Sequence, residues 1–287
     1  FIQSYHLTDE QIEELIQPTI TEIKEILGLD YQKSILFLKG MFLNEDNVDD
    51  IENDFAKALM IEPEMINDPY VRSRIYQMIR KRIKDAKVGV IKVQGNYSII
   101  SGDPYSLCQS MFGLEITGLL KAGELYNKYW IDRGSEYVSC FRAPMSCANN
   151  IVRLKVVNTP EMQHWYQYMT TVTILNSWDT TTHATNGADK DGDMYLLTDN
   201  KVLVENTLNL PALMCTQRKA PKKKIEEADL ILANKNSFGD EIGKTTNRIT
   251  TMFDIQAQYE PDSKEYQVLE YRIQCGQLFQ QNAIRYL

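Results

Sequence analysis

Apolar residues recur at helical spacing through the first third of the chain. Between residues 8 and 27 they return every three or four positions, which predicts an amphipathic helix. Thr8 is a suitable N-cap for this helix, and Gly28 is a suitable stop. The same spacing predicts two further helices, over residues 48–60 and 69–86.

Short runs of β-branched and aromatic residues begin at Val88. Runs of this kind, divided by glycine, asparagine and aspartate, are typical of strands joined by turns. Gly95-Asn96 separates the first two runs and predicts a hairpin. The predicted strands cover residues 88–93, 97–100, 137–141, 151–157, 170–175, 193–197 and 201–204.

Helical spacing returns in the last quarter of the chain. The predicted helices there cover residues 222–233, 240–259 and 263–286. Because the strands are grouped between helical regions and do not alternate with helices, the layout favours an α+β fold. The predicted regions are a helical one over 1–87, a barrel-like β region over 88–212 and a second helical one over 213–287.

The composition is that of an ordinary globular protein, with 43% hydrophobic and 24% charged residues. No run of eighteen apolar residues occurs, so we expect no association with a membrane. The five cysteines lack Cys-x-x-Cys spacing, which indicates neither a zinc site nor a disulfide framework and favours a reduced, cytoplasmic setting. Because the chain begins with Phe1 and shows no signal segment, we expect it to be part of a longer protein.

Charge is distributed unevenly along the chain. The net charge is −8, but residues 1–70 hold 16 acidic and 4 basic side chains, whereas the remainder is mildly basic. Such asymmetry is a hint of nucleic-acid contact, although composition alone favours two solvated surfaces of opposite sign. Lys244 and Arg248 lie one helical turn apart, so we expect them to face substrate nucleic acid together.

The most informative feature is a set of three aspartates at alternate positions: Asp189, Asp191 and Asp193. Like charges a few ångströms apart repel and raise one another's pKa, so converging carboxylates require a cation. A hard divalent cation takes oxygen ligands. Gly192 permits the tight turn that lets alternate side chains converge. Runs resembling strands, 178–182 and 193–197, flank the loop.

Three interpretations of this loop compete. A calcium-binding EF-hand requires glycine after the third acid and glutamate at the twelfth position, where this sequence has Asn200. An ordinary polar turn is the second interpretation, because aspartate and glycine are favoured in turns. The third is a catalytic magnesium site for phosphoryl transfer.

The surrounding motifs distinguish these interpretations. Residues 186–193, Asn-Gly-Ala-Asp-Lys-Asp-Gly-Asp, resemble the metal loop of RNA polymerases with a double-psi β-barrel active centre. Upstream, Phe141-Arg142-Ala143-Pro144 resembles the Arg-Ala-Pro segment that opens the strand before that loop. Two looser similarities, in the same order and spacing as in that family, are the start of the barrel at residues 97–105 and the following helix at residues 240–248.

This family includes the large catalytic subunit of cellular RNA polymerases, the single-chain silencing RNA-dependent polymerases and their bacteriophage relatives. The resemblance implies a nucleotidyltransferase that joins nucleoside triphosphates to an RNA 3′ end on a nucleic-acid template. We favour the phage-type, DNA-templated enzyme, in a bacterial or phage-infected cell or packaged in a virion. The alternatives are a silencing-type RNA-dependent RNA polymerase and a non-catalytic barrel that binds nucleic acid or scaffolds an assembly.

The resemblance also implies roles for individual residues. Asp189, Asp191 and Asp193 would bind the catalytic Mg²⁺, and Arg142 would reach the sugar hydroxyls of the incoming nucleotide or the RNA end. Polymerases of this group use two barrels, the second of which supplies lysines to the substrate phosphates. Because one barrel is predicted here, the second is expected from the same polypeptide or from another subunit.

Two positions depart from the pattern of the cellular enzymes. Gly187 occupies the place of an asparagine that touches the nucleotide sugar, and Asn186 lies one position further back. The resemblance therefore does not assign that role to Asn186. Lys190 stands where the cellular enzymes have an aromatic residue, and its side chain is expected to point away from the metal.

Overall fold

The computed structural model describes residues 2–30, 33–35, 37, 54–214, 224–237 and 241–285. The chain divides into two compact units, one formed by Leu7–Val93 and the other by Phe1–His6 together with Gln94–Leu287. The three regions expected from the sequence, with boundaries at residues 87 and 212, stay a prediction.

Helices form the first unit. Its helices are α1 (Asp9–Leu27), α2 (Asp54–Ile61) and α3 (Pro69–Lys87). The Thr8 hydroxyl accepts a hydrogen bond from the backbone N–H of Gln11, whose side chain accepts one from the N–H of Thr8. The predictions for α1 and α3 are confirmed, whereas residues 48–53 of the predicted second helix lie outside the described residues.

The core of this unit lies between the helices. Apolar side chains from α1, α2 and α3 meet there because each helix buries the stripe that the helical spacing creates. Its fully buried members include Ile26, Leu59, Ile75 and Ile79.

The second unit contains six strands with short helices between them. The strands are β1 (Asn96–Gly102), β2 (Glu124–Tyr126), β3 (Tyr137–Phe141), β4 (Val152–Val156), β5 (Val172–Leu175) and β6 (Met194–Thr198). The helices between and after them are α4 (Pro104–Met111), α5 (Lys128–Asp132), α6 (Pro160–Tyr166), α7 (Thr181–Ala184) and α8 (Lys201–Glu205). The C-terminal helices are α9 (Glu227–Ser237), α10 (Glu241–Gln256) and α11 (Lys264–Arg285).

The strands close into a barrel in the order β1-β5-β2-β4-β3-β6. β1 pairs in parallel with β5, β2 pairs in parallel with β4, and the remaining neighbours are antiparallel. Exchanging the first three strands with the last three leaves every pairing unchanged, so the barrel has an internal twofold pattern. Together with the flanking helices, this confirms the predicted α+β class with a closed six-stranded β-barrel.

Side chains of alternate strand residues fill the barrel. The buried cluster includes Leu125, Val138, Leu154, Tyr195 and Leu197, all under 3% exposed. Closure of the barrel leaves no unpaired edge, which gives the loops at its ends a rigid base.

Three strand predictions are wrong, each because side-chain hydrogen bonds favour another local structure. Residues 88–93 are irregular, since Val88 caps α3 and the N–H of Lys92 donates to the Thr19 hydroxyl; the predicted hairpin is therefore absent. Residues 201–204 form α8, because the side chain of Asn200 accepts from the N–H of Leu203.

Residues 178–182, predicted as the strand before the aspartate loop, form a bend followed by the start of α7. The Asn176 side-chain oxygen accepts from the N–H groups of Trp178 and Asp179, an arrangement typical of an Asx turn. β2 and the helices α4, α5 and α6 were not predicted; β2 has only three residues, too few for a periodic signal.

None of the helices in the described part of the chain combines the length and apolar composition needed to span a bilayer.

Candidate active site

The aspartate loop connects α7 to β6 at one end of the barrel. Asn186 and Gly187 begin it with φ angles of 59° and 62°, both in the left-handed region. Asparagine tolerates this region better than most residues with side chains. Gly192 has a φ of 128°, which strongly favours glycine. The glycine predicted to turn the loop therefore stands at a position that requires it.

Arg142 and Asp193 are brought together by strand pairing. β3 and β6 are antiparallel, with Phe141 opposite Leu196, so the residue after β3 and the residue before β6 meet at the same barrel end. Arg142 Nη2 donates to Asp193 Oδ1 at 2.8 Å, and the two side chains are 14% and 20% exposed. Charge-assisted bonds of this length in partly buried surroundings fix both groups in position.

Asp193 is engaged through both of its carboxylate oxygens. Its Oδ2 atom accepts from the backbone N–H of Asp189 at 2.7 Å, which closes the loop on itself. A second guanidinium nitrogen of Arg142, Nη1, is buried and has no hydrogen-bond partner among the described residues. A buried guanidinium donor without a partner is costly, and a ligand with an acceptor oxygen would relieve that cost.

Asp189 and Asp191 are both exposed. Asp189 Oδ1 accepts from the N–H of Lys190 at 3.2 Å, whereas Asp191 makes no hydrogen bond or ion pair with any described residue. Over the ranges that the structure describes, no three His, Cys, Asp or Glu side chains are gathered closely enough to hold a metal ion. Asp193 is thus brought against Arg142, and the convergence of all three carboxylates stays a prediction.

The donor set nevertheless suits a hard cation. Three carboxylates within five residues supply only oxygen ligands, which Mg²⁺ prefers. Asp191 is free to turn towards an ion, and the glycine beside it leaves the local backbone adaptable.

Lys190 lies across the end of β1. A Cβ atom added at Gly102 would come within 2.8 Å of Lys190 Nζ, so the lysine occupies the space above that glycine. The side chain has no hydrogen bond or ion pair with a described residue, and Lys190 is exposed. An exposed positive charge therefore stands beside the aspartates, at the point where β1 ends.

Asp103, directly after Gly102, organises that end of β1. Its Oδ1 atom accepts from the N–H groups of Tyr105 and Ser106 and from the Tyr166 hydroxyl, and its Oδ2 atom accepts from the N–H of Leu119. Burial raises the pKa of Asp103, but these hydrogen bonds outweigh it and the net pKa is lowered. The carboxylate is therefore a charged structural centre.

The two basic residues expected to face nucleic acid lie on α10. Lys244 forms an ion pair with Glu241 on the same helix, at 3.1 Å. Arg248 lines a cavity of about 540 Å³ between α10 and α11, together with Arg272. The structure records no direct contact of either residue with the aspartate loop.

The base of the aspartate loop is held by buried amides to which the sequence analysis assigned no role. Asn186 Nδ2 donates to the carbonyl of Pro144 at 2.8 Å and to Gln280 Oε1 at 3.0 Å. Asn150 Nδ2 donates to the carbonyl of Ala184 at 2.8 Å. The one available signal was the recurrence of glutamine in the last helix, which has five of them, including those at positions 277, 280 and 281.

Comparison with known proteins bears on this arrangement. No protein-family model matches the sequence. The DNA-directed RNA polymerase YonO of Bacillus phage SPbeta is 26% identical over 254 residues, which cover 86% of this chain. The resemblance to the RNA polymerases is confirmed.

The matched part is 29% of that phage polymerase, so the chain corresponds to less than a third of its relative. Among solved structures, an RNA-dependent RNA polymerase, QDE-1 from Thielavia terrestris, aligns with a TM-score of 0.48 and 13% identity. That alignment covers 96% of this chain and 34% of the other.

Proposed function

We propose that this chain is the metal-binding barrel of an RNA polymerase, which extends an RNA 3′ end with nucleoside triphosphates on a nucleic-acid template. The observation that carries the proposal is the 2.8 Å contact between Arg142 and Asp193. It joins the Arg-Ala-Pro segment to the three-aspartate loop at one end of a closed barrel. A DNA template is favoured, in keeping with the name of the phage relative.

In this proposal Asp189, Asp191 and Asp193 hold a Mg²⁺ ion. When bound, the ion would lower the pKa of the RNA 3′ hydroxyl and neutralise charge on the reacting phosphate. Arg142 keeps the Asp193 carboxylate at the mouth of the barrel, and its unpartnered Nη1 donor is available to a sugar hydroxyl or phosphate oxygen. The chain's own contribution is thus to place acceptors and one cation around the reacting groups.

Further positive charge is needed to bind a triphosphate and a template. Lys190 and Arg248 are exposed cations of this unit, and we assign Arg248 and Lys244 to the nucleic-acid backbone. We assign the contacts to the triphosphate to a second barrel, from the same polypeptide or from another subunit. Without that barrel, the chain by itself is expected to be inactive.

Asp191 offers the sharpest test, because it has no hydrogen bond or ion pair with a described residue to lose. In the complete protein, Asp191→Asn is expected to lower RNA synthesis on a primed DNA template at least about 100-fold, with unchanged melting temperature. Isothermal titration with Mn²⁺ should show weaker binding. The matched control is Asp262→Asn, which removes an exposed aspartate between α10 and α11.

Three results would contradict the proposed metal site, the DNA template or the enzymatic activity. RNA synthesis at the normal rate by Asp191→Asn would exclude the proposed metal site. Extension on an RNA template but not on DNA would retain the polymerase and reverse the template assignment. Binding of nucleic acid without extension, by the complete protein with Mg²⁺ and all four nucleoside triphosphates, would favour a non-catalytic barrel.

A further inference from the structure

A continuous chain of hydrogen bonds connects α10 to the aspartate loop. The Thr246 hydroxyl donates to the carbonyl of Ile242 at 2.7 Å, and Gln280 Nε2 donates to Thr246 Oγ1 at 2.6 Å. Asn186 Nδ2 then donates to Gln280 Oε1 and to the carbonyl of Pro144. These five residues, all in the barrel-containing unit, are called the amide relay below.

The direction of every bond in the amide relay is fixed by its ends. Backbone carbonyls only accept, so the single hydroxyl proton of Thr246 is committed to Ile242. Thr246 Oγ1 must therefore accept from Gln280, which turns the carbonyl oxygen of that amide towards Asn186. Reversing the Asn186 amide would place its oxygen against the carbonyl oxygen of Pro144, where no proton is available.

This orientation leaves one particular atom without a partner. Both N–H groups of the Asn186 amide are used, and its Oδ1 atom is buried and accepts no hydrogen bond from the described residues. Asn186 is 2% exposed and Gln280 is 0% exposed, so the hydrogen bonds of these two amides replace lost interactions with water. A buried polar network of this kind holds its members in one arrangement.

The relay ends on the two segments that carry the proposed site. Pro144 lies two residues after Arg142, and Asn186 lies three residues before Asp189. The Asn186–Pro144 bond therefore ties these segments together independently of the Arg142–Asp193 ion pair. Gln280 anchors that tie to the C-terminal helices.

Neighbouring glutamines on α11 allow a role of Gln280 in holding the aspartate loop to be distinguished from a role in docking the helix alone. Three glutamines of α11, Gln277, Gln280 and Gln281, lie on one face at spacings of three and four residues and are buried. Cys147 Sγ donates to Gln277 Oε1 at 2.8 Å, and Gln281 Nε2 donates to the carbonyl of Leu213 at 2.9 Å. Of the three, Gln280 is the one bonded to the aspartate loop.

We propose that Gln280 and Thr246 are positioning residues of the active site, which act through Asn186 to hold the aspartate loop against the Arg142 segment. The proposal rests on the proposed function for its activity measurements. In this view the helices α10 and α11 each contribute one positioning residue to the site, Thr246 and Gln280, in addition to supporting the barrel.

The test uses two substitutions and a matched control for each. Thr246→Val removes the hydroxyl at constant shape, and Gln280→Met removes the amide. Thr250→Val is the control for the first, because Thr250 is exposed and its hydroxyl bonds, among the described residues, only to the Thr246 carbonyl in its own helix. Gln281→Met is the control for the second, since Gln281 is similarly buried but bonds to Leu213.

In RNA synthesis by the complete protein, Thr246→Val and Gln280→Met should each lower kcat about tenfold, with the KM for nucleotides changed less than about threefold. Gln281→Met should lower the melting temperature about as much as Gln280→Met while leaving kcat unchanged. Because Thr246 acts through Gln280, the double variant should be no slower than Gln280→Met. Equal loss of kcat in Gln281→Met, or additive losses in the double variant, would overturn the proposal.

A second readout does not depend on catalysis. With asparagine labelled by ¹⁵N, the side-chain NH₂ signals of Asn186 are identified as those lost in Asn186→Asp. They should shift in Thr246→Val and Gln280→Met and stay in place in Thr250→Val. Unchanged signals in Thr246→Val would reject the relay even if the wild-type protein makes RNA. Shifted signals, combined with no RNA synthesis by the wild-type protein, would keep the relay and reject the proposed polymerase function.

Discussion

Lys190 lies so close to Gly102 that a Cβ atom at residue 102 would stand 2.8 Å from its Nζ atom and 3.3 Å from its Cε atom. The obstructing group is the end of a flexible, exposed side chain. Gly118 presents the opposite case: its φ is +63°, and an added Cβ would stand 2.5 Å from Ser106 Oγ and 2.7 Å from Asp103 Oδ2. Two glycines near the same buried aspartate therefore have different reasons to be glycine.

Alanine at these glycines should give contrasting stabilities. Gly102→Ala is expected to displace Lys190 and to change the free energy of unfolding by less than about 1 kcal/mol. Gly118→Ala is expected to cost about 1–3 kcal/mol, because it strains the backbone and disturbs the Asp103 cluster. Urea denaturation of both variants measures this difference. An equal loss of unfolding free energy in the two variants would show that Lys190 is held rigidly.

Removing Arg142 should separate metal binding from catalysis. The guanidinium occupies Asp193 Oδ1 and carries the same sign of charge as a metal ion, so Arg142→Met is expected to tighten Mn²⁺ binding about two- to fivefold. RNA synthesis should nevertheless fall at least about tenfold, because a positioned donor is lost. Titration calorimetry and primed extension measure the two effects; weaker Mn²⁺ binding by Arg142→Met would contradict the explanation.

The lowered pKa of Asp103 predicts a pH-dependent stability. A carboxyl group with a depressed pKa stabilises the folded chain above its unfolded-state pKa of about 3.9, and this contribution is lost as the pH falls through the folded-state value. Asp103→Asn should therefore cost about 1–3 kcal/mol at pH 7, and the difference from the wild type should narrow below about pH 4. Thermal unfolding between pH 7 and pH 3 checks this.

Asp132→Asn is the control for that measurement, because Asp132 is an exposed partner of Lys128. Its effect should be small at every pH in the series. A difference between wild type and Asp103→Asn that stays constant down to pH 3 would argue against a charged Asp103 in the folded state.

The cysteines should differ in reactivity towards alkylating agents. Burial raises the pKa of Cys147 to about 12, and the side chain is 3% exposed behind α11. Cys108 is exposed on α4. Iodoacetamide at pH 8 is expected to modify Cys108 within minutes and to leave Cys147 unmodified until the protein unfolds, since only the thiolate reacts. Peptide mass spectrometry distinguishes the two sites.

Labelling of Cys147 also reports on the docking of α11. Because its thiol donates to Gln277, separation of this helix from the barrel would expose it. Native labelling of Cys147 in Gln280→Met would show that the substitution releases the whole helix. Continued protection would show that the effect of the variant is confined to the amide relay.

The sequence alone determined the elements whose signals are local. Thr8 marked the start of α1, and runs of β-branched and aromatic residues located β3 and β6 to within a residue or two. The three aspartates and the Arg-Ala-Pro segment revealed the resemblance to the RNA polymerases, because they occur in the same order along the chain. These signals depend on neighbouring residues in the sequence and not on the residues that lie across the barrel.

The tertiary structure decided which of these residues meet. Arg142 and Asp193 are 51 positions apart and come together because β3 and β6 pair, a register that no local pattern specifies. Gln280 is bonded to Asn186 across 94 positions, and nothing in the sequence indicates which residue an amide side chain will bond to. Runs such as 88–93 became irregular for the same reason, since hydrogen bonds formed over long separations outweigh the small local preference for a strand.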